Sequence, residues 1–514
     1  MRIGLDASNM SRRIERLRPL LRHLSPLASI SPGWEAVIWV ALIGAAILPR
    51  VALWHALPTY VWSSDSGSYV APAIELLETG AADFGGRRGP VYSLLIAACI
   101  RWGGGLNGLV FAQHVLGATA TLASIAVLRV LFGRAALPAV AACGLAACLF
   151  NLPVYLEHLV RNETLLMFTC SMALCAYALA LRRVGVGWAA ASGLMSGLTM
   201  VIKPILGPFP LVAIGCLWWR GKAAGRPWAA PSAFVVPLMV MMAAPKILTF
   251  AGSGDFEGKS YSGIQFYGRT AQWTKLKGGI YPELKAEIAP LVERYRAMEK
   301  TDNNLVIKRL IVPAIDQHIG RNPGHYPSVN KVCRQLAFEA IRAEPRAFLA
   351  QAWSDFSKMH VKIANRTRLP SSNDLVDVLE EMRAQPQLPR QLHREETIRV
   401  LESRAKQESF AFFESLSGWS WLFRMWPPVL WTSLLAVPLV FATRGEHRLL
   451  WIALASLWYF NVVLLSVIGK PMNRYVVPVT PVMFWALSYP FILIWLRVLA
   501  ACGSPRGGAN SSDG

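Results

Sequence analysis

The chain reads as an all-α polytopic membrane protein, with about ten transmembrane helices, juxtamembrane interfacial helices and a mostly helical extracytoplasmic domain. Three observations carry that expectation. Of 514 residues, 54% are hydrophobic and only 16% charged, with a mean hydropathy of +0.37, too apolar for a water-soluble chain of this length. Apolar runs recur at about 17–25 residues each, the length that crosses roughly 30 Å of hydrocarbon. The one long hydrophilic stretch, 251–420, has apolar residues at helical spacing and no alternating strand pattern.

The expected spans are 35–57, 107–131, 136–156, 164–181, 186–202, 204–219, 228–250, 421–441, 449–468 and 475–496; those flanking Lys203-Pro204 are short and contain proline. Ahead of them, the tail 1–34 carries Arg2, Arg12, Arg13, Arg16, Arg18 and Arg22, and Ser11 to Arg22 reads as a basic surface helix. This tail is too long before the first span for an ordinary cleaved signal peptide, so the span is expected to stay as an anchor. Arg134, Arg182, Arg183, Arg220, Lys222, Arg226, Arg444, Arg448 and Arg497 all thread to the side of that tail, which the positive-inside rule makes cytoplasmic. The net charge of +21 then belongs largely to loops beside anionic lipid, and no nucleic-acid partner is implied.

The expected divisions are a cytoplasmic basic tail at 1–34, a transmembrane catalytic region at 35–250, an extracytoplasmic helical domain at 251–420, C-terminal transmembrane helices at 421–496 and a disordered cytoplasmic tail at 497–514. Within the hydrophilic stretch, helices are expected over Pro282 to Lys300, Val329 to Val361 with an interruption at Pro345, and Arg394 to Leu416. The domain is expected to close over the active site as a lid. Only Cys333 of the eight cysteines lies in it, so it holds no internal disulfide; no metal-type Cys/His spacing and no internal repeat is found in the chain.

The chemistry-bearing residues gather in loops that thread to the outer side. Asp65 lies in Trp62-Ser63-Ser64-Asp65-Ser66-Gly67-Ser68-Tyr69, just after the first span. A carboxylate at a membrane boundary is a site candidate by default, although Asp65 can also serve as N-cap of a short interfacial helix, Tyr69 to Glu78, ended by Gly80. Arg87 and Arg88 follow, on the side where basic residues are disfavoured; they suit an anionic phosphate or a lipid headgroup. Glu163 opens a later span in Glu157-His158-Leu159-Val160-Arg161-Asn162-Glu163, where the helix dipole alone would favour a carboxylate. Lys203, Lys470 and Arg474 add three outer-face cations, any of which could simply snorkel.

Taken in order, Asp65 with Tyr69, Arg88-Gly89-Pro90-Val91-Tyr92, Arg161-Asn162-Glu163-Thr164-Leu165, Lys203-Pro204, and Arg474-Tyr475 with Pro478 and Pro481 resemble the GT-C superfamily, in the branch of protein O-mannosyltransferases and lipid A aminoarabinose transferases. The likeness covers roughly 35–250 and 420–496, and Ala340 to Leu349 is similar to the segment that returns related transferases to the membrane. One departure is Asp-Ser where several relatives carry two adjacent acids, so the second acid falls to Glu163 or is absent. The resemblance implies transfer of a sugar from a polyprenyl-phosphate donor to a lipid, glycan or protein acceptor, on the periplasmic, extracytoplasmic side of the plasma (inner) membrane. Asp65 is then the candidate base and Glu163 orients the acceptor or a divalent cation, cofactor use being otherwise unknown. Arg88, Lys203 and Arg474, followed by Arg87 and Lys470, are candidate phosphate partners, with Tyr69, Tyr92 and Tyr475 completing the substrate-binding set. A transporter or flippase for an anionic lipid-linked substrate shares the span number and the basic residues, but its site would lie nearer the midplane. An inactive scaffold of the same fold is the third alternative.

Overall fold

The computed structural model describes residues 31–63, 65–80, 89–102, 104–148, 151–183, 185–203, 205–253, 262–297, 307–362, 394–405, 428–468 and 479–503. Among them the protein is helical, with no strand beyond a single bridge between Val61 and Leu159. The helices are α1 (Pro32–Ala56), α2 (Gly67–Thr79), α3 (Pro90–Trp102), α4 (Gly105–Phe132), α5 (Leu137–Cys148), α6 (Asn151–Leu156), α7 (Glu163–Arg183), α8 (Val186–Ile202), α9 (Phe209–Ala223), α10 (Ala229–Ser253), α11 (Ser262–Thr270), α12 (Pro282–Ala297), α13 (Val312–Arg321), α14 (Val329–Ala343), α15 (Pro345–Lys362), α16 (Arg394–Ala405), α17 (Pro428–Ala442), α18 (Gly445–Ile468) and α19 (Thr480–Gly503).

Every expected span coincides with a helix. The 136–156 span is divided into α5 and α6, and the spans expected from 204, 421 and 475 begin as described helices at Phe209, Pro428 and Thr480. Helices α1, α4, α7, α18 and α19 contain stretches long and apolar enough to cross a membrane, so the chain is a multi-pass membrane protein. α7 is the buried centre of the bundle, whereas α1 turns Val40, Ile47 and Leu48 outward, as a lipid-facing helix does. α8 and α10 pack most intimately, because a Cβ at Gly193 would lie 1.9 Å from the Phe234 carbonyl oxygen; small residues let the backbones approach.

The basic groups converge on one end of the bundle. Glu35 at the start of α1 accepts from Arg129 (3.0 Å) and Arg134 (2.8 Å), Arg182 donates to the Leu131 carbonyl, and Arg220 donates to that of Leu181 (3.1 Å). Arg220 also lies 3.8 Å from Glu446 at the start of α18. Arg134, Arg182 and Arg220 are thus gathered at the ends of α1 and α7 that lie away from the loops carrying Asp65 and Glu163.

The hydrophilic segment builds a second hydrophobic core from Tyr267, Leu284, Ile288, Val292, Ile311, Ile315, Val332 and Leu336. Pro345 opens α15 directly after α14, as a proline without an N–H can at a first helical position. α15 rests on α17 and α18, and Thr59 in the loop after α1 donates to Thr397 of α16 over 3.1 Å. Cys333 is fully buried in this core, and burial pushes its thiol up to about 12. Burial and the raised thiol both disfavour the reactive thiolate, so Cys333 is a poor labelling probe despite lying in the hydrophilic segment.

Candidate active site

The loop after α1 and the loop before α7 hold each other. The Val61 amide donates to the His158 carbonyl (2.9 Å) and the Val160 amide to that of Val61 (3.1 Å), forming the parallel bridge. Ser66 Oγ donates to the Val160 carbonyl (3.0 Å), and Arg161 Nε to Ser63 Oγ (2.6 Å). The loop that carries Asp65 and the loop that leads into Glu163 are thereby tied together in one short strap.

Asp65 is half-buried, and its carbonyl accepts from Ser68 Oγ at 2.6 Å. The helix starts at Gly67 with Ser66 in the N-cap position, and the Ser66 side chain makes no capping hydrogen bond. At the other end Gly80, at φ 73°, stops α2 as expected, since only glycine takes that conformation without strain. Glu163 is the first residue of α7 and is 4% exposed. Its Oε2 is buried and takes no hydrogen bond from the described residues. The dipole accounts for the position of Glu163 but leaves that oxygen unsatisfied.

Tyr69 and Tyr92 are both buried and meet edge to face, with ring centroids 5.0 Å apart. Tyr92 Oη donates to Gln113 Oε1 (3.0 Å) and lies within electrostatic reach of Glu163. Lys203 follows α8 in extended backbone and is half-buried. A Cβ at Gly89 would stand 2.6 Å from the Val201 carbonyl oxygen, so the Gly89-Pro90-Val91-Tyr92 motif and Lys203 belong to one neighbourhood. Arg87, Arg88, Lys470, Arg474 and Tyr475 lie outside the described residues.

Beneath the strap is a buried polar network that sequence reasoning did not find. Glu157, fully buried, lies 2.5 Å from Arg50 and 2.7 Å from His114 Nδ1. His114 Nε2 is 3.0 Å from His158 Nδ1, and His158 Nε2 is 2.7 Å from the Leu57 carbonyl oxygen. Gln113 Nε2 donates to the carbonyls of Glu157 (2.8 Å) and Leu159 (3.0 Å). Arg50 also lines a cavity of ≈ 180 Å³ whose other walls include Met167, Met483 and Phe484. The available signal was Arg50 itself, a cation inside an apolar run. Asn461 of α18, likewise missed, donates to the Ile205 carbonyl (2.7 Å) and braces the break after Lys203.

No family model and no curated protein matches the sequence. Among solved structures the chain is similar to ArnT from Cupriavidus metallidurans bound to undecaprenyl phosphate, with TM-score 0.35 and 16% identity over 82% of this chain and 85% of that one. It is also similar to the apo state of the same protein, with TM-score 0.31 and 16% identity over 88% of this chain and 77% of that one.

Proposed function

We propose that the protein is a membrane glycosyltransferase that moves a sugar from a polyprenyl-phosphate donor to a lipid, glycan or protein acceptor at the outer face of the plasma membrane. The observation that carries this is the strap joining the loops of Asp65 and Glu163, with Glu163 Oε2 taking no hydrogen bond from the described residues. Asp65 takes the proton of the acceptor hydroxyl. The acceptor oxygen bonds to the anomeric carbon as the bond from that carbon to the phosphate oxygen breaks, with inversion. Glu163 orients the hydroxyl, while Lys203, Arg88 and Arg474 meet the charge left on the lipid phosphate, with Arg87 and Lys470 in support. Among the described residues no group of three or more His, Cys, Asp or Glu could hold a metal ion. The apolar cavity beside Arg50 suits part of the lipid chain.

The test compares the lipids and glycans of a deletion strain with its parent by mass spectrometry. A sugar-bearing product should vanish and return with the wild-type gene but not with Asp65→Asn. Unchanged glycans with a lipid redistributed between leaflets would identify a transporter instead. Sidedness is tested with Ser371→Cys in a variant without other cysteines, which a membrane-impermeant maleimide should label in intact cells. Labelling only after the membrane is opened would put Asp65 in the cytoplasm and remove the donor chemistry.

A further inference from the structure

Exposed tryptophans mark where a bilayer boundary crosses this protein. Among the described residues they are Trp34, Trp102, Trp188, Trp219, Trp228 and Trp353. Trp34 opens α1 beside Glu35, the partner of Arg129 and Arg134; Trp188 opens α8 just after Arg183 ends α7; Trp219 and Trp228 flank the turn from α9 to α10 that carries Arg220. These four stand at the basic end of the bundle. Trp102 closes α3 ahead of α4, whose far end carries Arg129, and so stands at the opposite end. An indole favours such places because its ring is apolar while its N–H suits the headgroup layer. Trp353 is the exception, since it is 69% exposed yet belongs to α15 of the hydrophilic segment.

We propose that α15 lies in the headgroup layer of the leaflet at the Asp65 end of the bundle, with Leu349 and Trp353 inserted among the lipids. The helix has two faces. Phe348, Ala352 and Asp355 are buried, and Asp355 accepts from Arg269 of α11 at 2.6 Å, a pair that stops the helix from rolling. Leu349, 64% exposed, and Trp353 stand one turn apart on the other face, an apolar pair that calls for a partner. The occupant follows from what the pair adjoins. Phe356 packs against the core of the transmembrane bundle, and the Trp353 ring stacks on it with centroids 5.4 Å apart and planes inclined by 13°. α15 also rests on α17 and α18, whose Phe441 and Val463 are exposed as lipid-facing side chains are. The bond from Thr59 to Thr397 sets the hydrophilic segment at the Asp65 end. Arg346, exposed one turn before Leu349, has an apolar stem that lets its charge reach a lipid phosphate while the helix stays in the interface. This placement does not depend on the sugar transfer proposed above.

The experiment measures nitroxide accessibility in the full-length protein in nanodiscs of phosphatidylethanolamine and phosphatidylglycerol. Spin labels are attached one at a time to Leu349→Cys, Trp353→Cys, Phe441→Cys on α17 as the lipid-facing reference and Gln317→Cys on α13 as the water-facing one, in a variant without other cysteines. Molecular oxygen concentrates in lipid and a nickel chelate stays in water. The ratio of oxygen to nickel relaxation at positions 349 and 353 should therefore shift away from the value at 317 and toward the value at 441. A ratio equal to that at 317 would leave Trp353 in water and overturn the proposal. Protection from both reagents would overturn it as well, because protein would then cover the face, whether 363–393 of the same chain or a second copy. Replacing the native cysteines risks disturbing the bundle, so benzoylphenylalanine in place of Trp353, in the otherwise native chain, repeats the test by photo-crosslinking. An adduct with the mass of a phospholipid supports insertion; an adduct with 363–393 or with a second copy refutes it.

Discussion

Asp65→Asn should reduce sugar transfer by at least about a hundredfold, the low end for removing a general base. Asparagine has nearly the same shape and cannot take the acceptor proton. The change should leave folding intact, because Ser66 and not Asp65 occupies the N-cap of α2, and the strap is built from Val61, Ser63, Ser66, Val160 and Arg161. Turnover of detergent-purified variant and wild type, with thermal unfolding alongside, checks both halves. Wild-type turnover in a folded Asp65→Asn protein would end its assignment as base.

The largest stability effect is expected at Glu157. Glu157→Gln removes the counter-charge of Arg50, which is 6% exposed. Breaking a buried pair by neutralising one partner costs roughly 3–5 kcal/mol, because the remaining cation stays desolvated. The expected result is a clear fall in unfolding temperature, with Gly117→Ala moving the same way by pushing the carboxylate off Arg50. Converting Arg50 and Glu157 together to leucine should recover part of the loss, since an apolar pair carries no desolvation cost. An unfolding temperature unchanged in Glu157→Gln would mean that the pair contributes nothing to the bundle.

The helical membrane architecture was legible because hydropathy and basic-loop bias act over whole segments: Arg134, Arg182 and Arg220 do gather at one end of the bundle. The polar network was not, as Arg50 and Glu157 are 107 residues apart and such a pairing leaves no periodic trace. The helix begins at Gly67, two residues before the expected Tyr69, and the Ser66 hydroxyl is spent on the Val160 carbonyl across the strap, a long-range contact that local sequence does not show. Arg161 was visible only as part of a motif, because its partner Ser63 belongs to the other loop.

The distance in sequence between Arg50 and its carboxylate also bears on biogenesis. α1 emerges from the ribosome long before Glu157 is made, so Arg50 enters the bilayer without its counter-ion and must sit at the headgroup level or hold α1 near the translocon. Insertion of α1 and arrival of the segment before α7 are then one coupled event. A nascent chain halted before Glu157 should leave α1 accessible to glycosylation-mapping or chemical crosslinking in a register different from that of the finished protein, and extension through α7 should draw it to its final depth.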